Sequence, residues 1–381
     1  MKIGISAIHV RPGKSGSHQP YLVNLISAMS KLETPHEFTL FVTPANQYLF
    51  EDSRNRMEFV VYPAFAEEVL PRIFLEQLRL PLDVCRRKID VLHYPGTTAS
   101  FLLRRSDVVT VHHDSVAFRM SMSSIRNIYY DVALMNNKRA GRIIAPSQVY
   151  ANELARYFGY QPERVQAVHH GVSSIFRNVP DSEVEKVRQK YGIESNVILT
   201  VTNTLPHKNI PNLLRAYHLL TTRYRLENQL VMVGNVDETV LMQTISEISN
   251  VPNHMRSRIN VIPFLPHEQL PPIYSAAAVF VFFSQVETFG MPLVEAMACG
   301  LPVVASDIPV HREILQSAGL LVPPEAPDAL AATLHEILTN KEHWNLLARS
   351  ALSRSQQFSW EKTARQTLQV YEDSWNSSRR G

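Results

Sequence analysis

The feature that most constrains this chain is an alternation. Short runs of β-branched and aliphatic residues are followed, again and again, by helix-length amphipathic stretches. In the first half the strand candidates are Lys2–Ile8, Phe38–Thr43, Glu58–Tyr62, Asp90–His93, Val108–Val111, Arg142–Ala145 and Val165–Val168. In the second half they are Val197–Thr202, Gln229–Val233, Asn260–Pro263, Val279–Phe283, Pro302–Ala305 and Gly319–Val322. Helical patterns such as Tyr21–Leu32, Gln148–Phe158, Ile210–Thr221 and Leu293–Ala298 fill the gaps, and a long helical tail starts at Pro327. Strand–helix alternation builds a parallel sheet with helices on both faces. Its occurrence twice predicts an α/β chain of two doubly wound domains. The 381 residues are ample for two cores. The expected domains are 1–180 and 181–358, followed by a segment 359–381. The polar stretch Asn178–Ser195, with Pro180 and a charged helix, fits an inter-domain connection. Ligands of such folds bind outside the carboxyl ends of the strands, so a cleft between the two domains is the expected place for one.

Composition closes off several classes. Only Cys85 and Cys299 occur, which excludes a disulfide framework and a cysteine-rich zinc module. The longest apolar run, Ala276–Phe283, is far too short to span a bilayer. The start reads as a strand and not as a secretory signal, so a cytoplasmic protein is expected. Residues 1–180 hold 21 Lys/Arg and 15 Asp/Glu, or +6; residues 181–381 hold 17 and 20, or −3, which sums to the overall +3. The halves should therefore meet different partners. With no basic-aromatic ladder and no nucleic-acid motif, nucleic acid is not among them. The 15 histidines include the adjacent pairs His112–His113 and His169–His170. Side chains of neighbours in a strand diverge, and no HExxH is present, so no metal site is expected. The segment Glu67–Lys88 sets Leu70, Ile73, Phe74, Leu78 and Leu82 near helical spacing among five cations, with Pro71 and Pro81 as interruptions. It reads either as a helix with a solvated charged face or as a basic patch for an anionic membrane.

The informative stretch is Ser284–Ser306, SQVETFGMPLVEAMACGLPVVAS. A buried strand ends at Phe283, and a loop follows with Glu287 and Gly290. Pro292 stands near the start of a helix, where proline is preferred, and Gly300 closes it. Glu295 is expected in the first helical turn. Free N–H groups at such a helix start can bond phosphate or sugar oxygens. Two carboxylates eight residues apart suit a polyhydroxylated ligand, since each accepts two hydroxyls. On spacing alone, a dipole-favouring Glu295 and a solvated Glu287 fit as well.

The run Glu-x7-Glu with Phe-Gly-Met-Pro inside it, then Glu-Ala-Met-Ala-Cys-Gly-x-Pro-Val-Val-Ala-Ser, resembles the donor-site signature of family 4 glycosyltransferases. Further segments agree in order. VILTVTNTLPHKNIPNLLRAY places Lys208 on the family's diphosphate lysine, and LVMVGN places Gly234 beside the nucleotide. VIPFLPHEQLPPIYS resembles the segment bordering the base. TVHHD places His113 on the histidine near the sugar. The resemblance implies a GT-B architecture: two Rossmann-like domains facing across a cleft, and a C-terminal helix crossing back to the first domain through Ala364, Leu368, Val370 and Tyr371.

It further implies transfer of a sugar from a nucleotide diphosphate sugar to a glycan or lipid-linked acceptor, with retention of anomeric configuration. No metal or other cofactor is implied. Lys208 and His207 would hold the diphosphate. Glu295 would take the ribose, Glu287, Phe289, Gly290 and Met291 the donor sugar, and Leu293 belongs to the same donor loop. His113, Glu287 and Lys208 form the implied catalytic set. A front-face route is expected, with a donor phosphate oxygen receiving the acceptor proton. Three positions depart from the pattern. No Gly-Gly pair follows the first strand, where Gly16 is the best candidate for close approach. His207 stands where an arginine is usual, and Thr288 where a glycine is common. Two other readings are weighed: a silent sugar-nucleotide-binding homologue, against which Lys208, Glu287 and Glu295 argue, and an epimerase or phosphorylase of the same architecture.

Overall fold

The computed structural model describes residues 1–13, 18–96, 99–111, 124–248, 251 and 253–380. They form two compact units, Met1–Gly171 with Ser359–Gly381, and Val172–Phe358. The first unit holds a seven-stranded sheet: β1 (Lys2–Ser6), β2 (Glu37–Val42), β3 (Met57–Val61), β4 (Val91–Tyr94), β5 (Val108–Thr110), β6 (Arg142–Ala145) and β7 (Val165–Ala167). Its order is β3-β2-β1-β4-β5-β6-β7, and every pairing is parallel. The second holds β8 (Val197–Val201), β9 (Leu230–Val233), β10 (Ile259–Ile262), β11 (Ala277–Phe282), β12 (Val303–Ser306) and β13 (Leu320–Val322), again all parallel, in the order β10-β9-β8-β11-β12-β13.

All thirteen expected strands are present, within one or two residues at most ends. They are found because buried parallel strands are short continuous runs of Val, Ile, Leu and Phe. The interior of β11, Val279–Phe282, is at most 3% exposed. Burying both faces of each sheet requires helices on both sides. In the second unit the helices Ile210–Thr222 and Pro327–Thr339 pack against each other, their inward residues Leu213, Leu214, Leu220, Leu330 and Leu334 all but fully buried.

Three expectations are corrected. Asn178–Ser195 is not a free connection: its helix, Asp181–Tyr191, packs on the helix Pro271–Ala276 inside the second unit. The units part at Gly171 and not after residue 180. Val172 N–H donates to Phe358 O at 3.0 Å, Phe176 stacks edge-on to His267 and Tyr274, and Val179 N–H donates to Ser275 Oγ at 3.2 Å. Pro71 and Pro81 do not break the segment around residues 69–86. Helical turns run Val69–Phe74 and Leu80–Arg86, joined by a π-turn at Leu75–Arg79. The wider turn relieves the clash between the Pro81 ring and the carbonyl four residues back.

The last helix, Trp360–Arg380, belongs to the first unit. It lies on the helix His18–Ser30 and on β4, β5 and β6. Ala364, Val370 and Tyr371 are fully buried, as the pattern implied, while Leu368 is half-buried. Polar groups fix its register: Tyr371 Oη lies 2.7 Å from His93 Nδ1, Thr363 Oγ1 donates to His169 O at 2.7 Å and Ser374 Oγ to Ser106 O at 3.0 Å.

Candidate active site

In the second sheet the strand order reverses between β8 and β11. At such a switch point the loops leaving two adjacent parallel strands diverge to opposite faces and leave a ligand-sized opening between them. The loop after β8 ends in a 3-10 turn, Pro206–Lys208, and that after β11 leads to the helix Met291–Ala298. The two are tied together by Gln285 N–H donating to His207 O at 2.7 Å.

This places Lys208 beside Glu287. Nζ lies 2.5 Å from Oε1, and the two side chains are 14% and 11% exposed. Burial would push the Glu287 carboxyl up, but the Lys208 ammonium outweighs it and holds the group below its ordinary value. The Phe282 ring lies under the ammonium, 5.2 Å away. Each charge compensates the other; either alone would be a buried, unpaired ion.

Glu295 is also held. Its Oε1 lies 2.7 Å from His267 Nε2, and Oε2 accepts from Tyr274 Oη at 2.9 Å. A carboxylate only accepts, so His267 Nε2 carries the proton. Burial alone would lower the His267 pKa, but the adjacent Glu295 charge raises it above the ordinary value. Burial and the same carboxylate push the Tyr274 phenol well up. Glu295 stands in the second helical turn and not the first, because the helix begins at Met291.

Gly290 caps that helix at φ +87, and a Cβ there would press on Leu293 Cδ1 at 3.0 Å. Gly234 follows β9 at φ +132, and any Cβ would run into Thr202 O. Both positions require glycine. Phe289 and Leu293, expected in the donor loop, are 2% and 0% exposed. Their side chains belong to the core, so only their main chain is offered to a ligand; Met291 is 8% exposed. His207 Nδ1 is buried and makes no hydrogen bond. Burial and Lys208 lower its pKa, against a smaller opposing effect of Glu287. His113 and Gly16 lie outside the described residues.

The sequence alone did not point to His267, Tyr274 or His311 as site residues. His311 is fully buried behind the ion pair. Its Nδ1 donates to Ser306 O at 2.9 Å, and Nε2 has no partner. Burial, partly offset by Glu287, takes its pKa to about 4. Both His267 and Tyr274 lie in VIPFLPHEQLPPIYS, the segment whose resemblance pointed only to a border with the base. Among the described residues, no cluster of three or more His, Cys, Asp or Glu could hold a metal ion.

The switch-point loops thus carry a buried Lys–Glu pair, with a second anchored carboxylate on the helix that follows. The comparisons give the class. The chain matches the family model described as Glycosyltransferase Family 4 over residues 19–174 and that described as Glycosyl transferases group 1 over 183–354. It belongs to glycosyltransferase family 4. It is 31% identical over 287 residues to O-antigen chain mannosyltransferase B of Escherichia coli, covering 74% of each chain. It is 27% identical over 245 residues to the serotype-specific mannosyltransferase WbdA of the same species, a match spanning 64% of this chain but only 30% of that one. The fold is that of Anabaena HepE, solved in complex with UDP-glucose, at a TM-score of 0.73 and 20% identity over 97% of this chain and 98% of that one.

Proposed function

We propose that this family 4 glycosyltransferase moves a hexose from a nucleoside diphosphate sugar to a hydroxyl of a glycan or lipid-linked acceptor, retaining the anomeric configuration. The observation that carries this is the buried Lys208–Glu287 pair at the switch point. In the reading, the diphosphate takes Lys208 and donor-sugar hydroxyls take Glu287, so each charge exchanges one partner for another. As the anomeric C–O bond breaks, the diphosphate gains negative charge, which Lys208 and the N–H groups at Gly290–Met291 are fixed to receive. The acceptor oxygen bonds the same face of the sugar, and its proton passes to a diphosphate oxygen. Glu295 accepts the ribose hydroxyls. The mannosyltransferase relatives support mannose as the sugar and polysaccharide assembly as the setting. The test is nucleoside diphosphate release from GDP-mannose and UDP-glucose, with and without a lipid-linked glycan acceptor. Acceptor-dependent release is expected. A chain that binds both donors and releases nothing would be the silent homologue.

The partner on the first unit is an anionic membrane surface. Phe74, Leu78 and Leu82 project one turn apart, 62%, 49% and 55% exposed, beside Phe101 and Leu102 at 48% and 61%. Phe101 N–H donates to Gln77 Oε1 at 2.7 Å, which joins the loop to the helical run in one patch. Arg86 and Lys88, in the chain just after Leu82, and Arg105, just after Leu102, are also exposed. Exposed apolar side chains with cations nearby in the chain suit an interface of acyl chains and anionic headgroups. No helix among the described residues is long and apolar enough to cross a membrane. Sedimentation with phosphatidylglycerol vesicles should carry the protein down, and phosphatidylcholine vesicles should not. F74S/L78S should abolish the effect, and failure of the unaltered protein to bind anionic vesicles would overturn the assignment.

A further inference from the structure

Both oxygens of Glu295 are occupied by protein donors, yet a carboxylate has four acceptor sites. Two remain, one on each oxygen, and their direction is set by whichever donors hold the other two. Tyr274 is fully buried on the helix Pro271–Ala276, with a hydroxyl that stays protonated at any working pH. His267 comes from a separate 3-10 turn, His267–Gln269. Phe176 packs edge-on against both rings, at 4.7 Å from His267 and 5.8 Å from Tyr274. Glu268 and Glu295 are the charged groups that act on His267, and Cys299 lies close to Tyr274 and Glu295. Two donors from different elements, clamped by one aromatic ring, fix the carboxylate plane in a side chain only 5% exposed.

We propose that Tyr274 and His267 are positioning residues that aim Glu295 at the vicinal hydroxyls of the donor ribose, and so determine the enzyme's preference for ribo- over deoxyribonucleotide donors. The inference rests on the assignment of Glu295 to the ribose. Its consequence is specific. Loosening either clamp should weaken a ligand only in so far as the ligand carries the hydroxyl that Glu295 receives.

The experiment is calorimetry on the full chain with UDP, GDP and ADP, and then with the 2′-deoxy form of whichever binds. The unaltered protein should prefer the ribo form, and E295Q should erase most of that preference. Y274F and H267A should each reduce it by roughly three- to tenfold, the worth of one net hydrogen bond, with a smaller loss for the 2′-deoxy form, which keeps only the 3′-hydroxyl. H267Q, which restores a side-chain N–H donor, should recover part of it. Equal losses for ribo and deoxy forms in Y274F and H267A would show a merely structural role and overturn the proposal. If the unaltered protein does not discriminate, or binds none of the three, the ribose assignment itself falls. Y274F keeps the ring that packs on Phe176 and Phe280, so loss of folding is not its expected outcome.

Discussion

At the scale of single residues, the buried Lys208–Glu287 pair makes opposite forecasts for single and double changes. Lys208→Ala leaves a carboxylate 11% exposed with its cation gone. Breaking a buried pair from one side costs about 3–5 kcal/mol, and urea unfolding of the second unit should show a loss of that order. Lys208→Met with Glu287→Leu removes both charges and should restore most of the stability while leaving the enzyme inactive. If the double variant is as unstable as the single, the cost is one of packing and not of charge. His207 carries a second forecast. Its pKa is lowered in the free protein by burial and by Lys208, so it is neutral at pH 7. A diphosphate beside it would favour the charged form. The complex then has the higher pKa, and binding takes up a proton. Donor affinity should be greatest below the free-protein pKa and fall as pH rises through the pKa of the complex. His207→Arg keeps its charge throughout, and should flatten a plot of donor dissociation constant against pH. Superimposable curves for the two proteins would rule out a diphosphate role for His207.

At the scale of elements, the helix Trp360–Arg380 is held to the first sheet by a polar chain running through the core. Tyr371 Oη meets His93 Nδ1 at 2.7 Å, and His93 Nε2 meets Thr110 Oγ1 at 2.6 Å. Tyr371→Phe leaves a fully buried ring nitrogen without a partner, which costs about 1–3 kcal/mol. The urea midpoint of the first unit should drop accordingly, and an unchanged midpoint would mean that apolar packing alone holds the helix. These elements also mark how far the sequence could be read. The strands were legible because burial on both faces demands uninterrupted apolar runs. The carboxylates and Lys208 were legible because the donor-site pattern keeps them in order. What stayed hidden is pairing across distance. Nothing local indicates that His267 and Tyr274 close on Glu295, 28 and 21 residues away, or that Tyr371 ends against a histidine 278 residues earlier. Local rules misled at Pro81 as well, where a π-turn absorbs what an α-helix does not, and at Pro71, which stands in a first helical turn where its missing N–H costs no bond.

At the scale of the whole molecule, the two units should answer acid differently, because their buried titratable groups carry different signs. In the second unit the shifts that matter below neutrality act together. Burial takes His311 to about 4 and also lowers His207 and His218, while Lys208 outweighs burial to lower Glu287. A group whose folded pKa is depressed gives full stability above its unfolded value, and that stability is lost as pH falls toward the folded value. For the histidines the loss begins near 6.5, and for Glu287 near the ordinary carboxylate range. His267, with its raised pKa, acts the other way only above about 6.5. In the first unit the effects oppose one another. His93 and His170, both taken by burial to about 3, cost stability on acidification. Burial also pushes Glu76 up to about 7, with Arg72 partly offsetting it, and raises Asp107 and Glu153. These carboxyls destabilise the folded unit as pH rises through their folded values, so acidification relieves them. The second unit, Val172–Phe358, should therefore lose protection first on acidification from pH 6.5 towards about 4. Peptide-resolved hydrogen exchange at steps across that range would locate the loss. His311→Gln should move it to lower pH, and Glu76→Gln should leave the second unit unaffected while changing the first. Simultaneous loss in both units, or earlier loss in the first, would show that these buried groups do not govern the acid response.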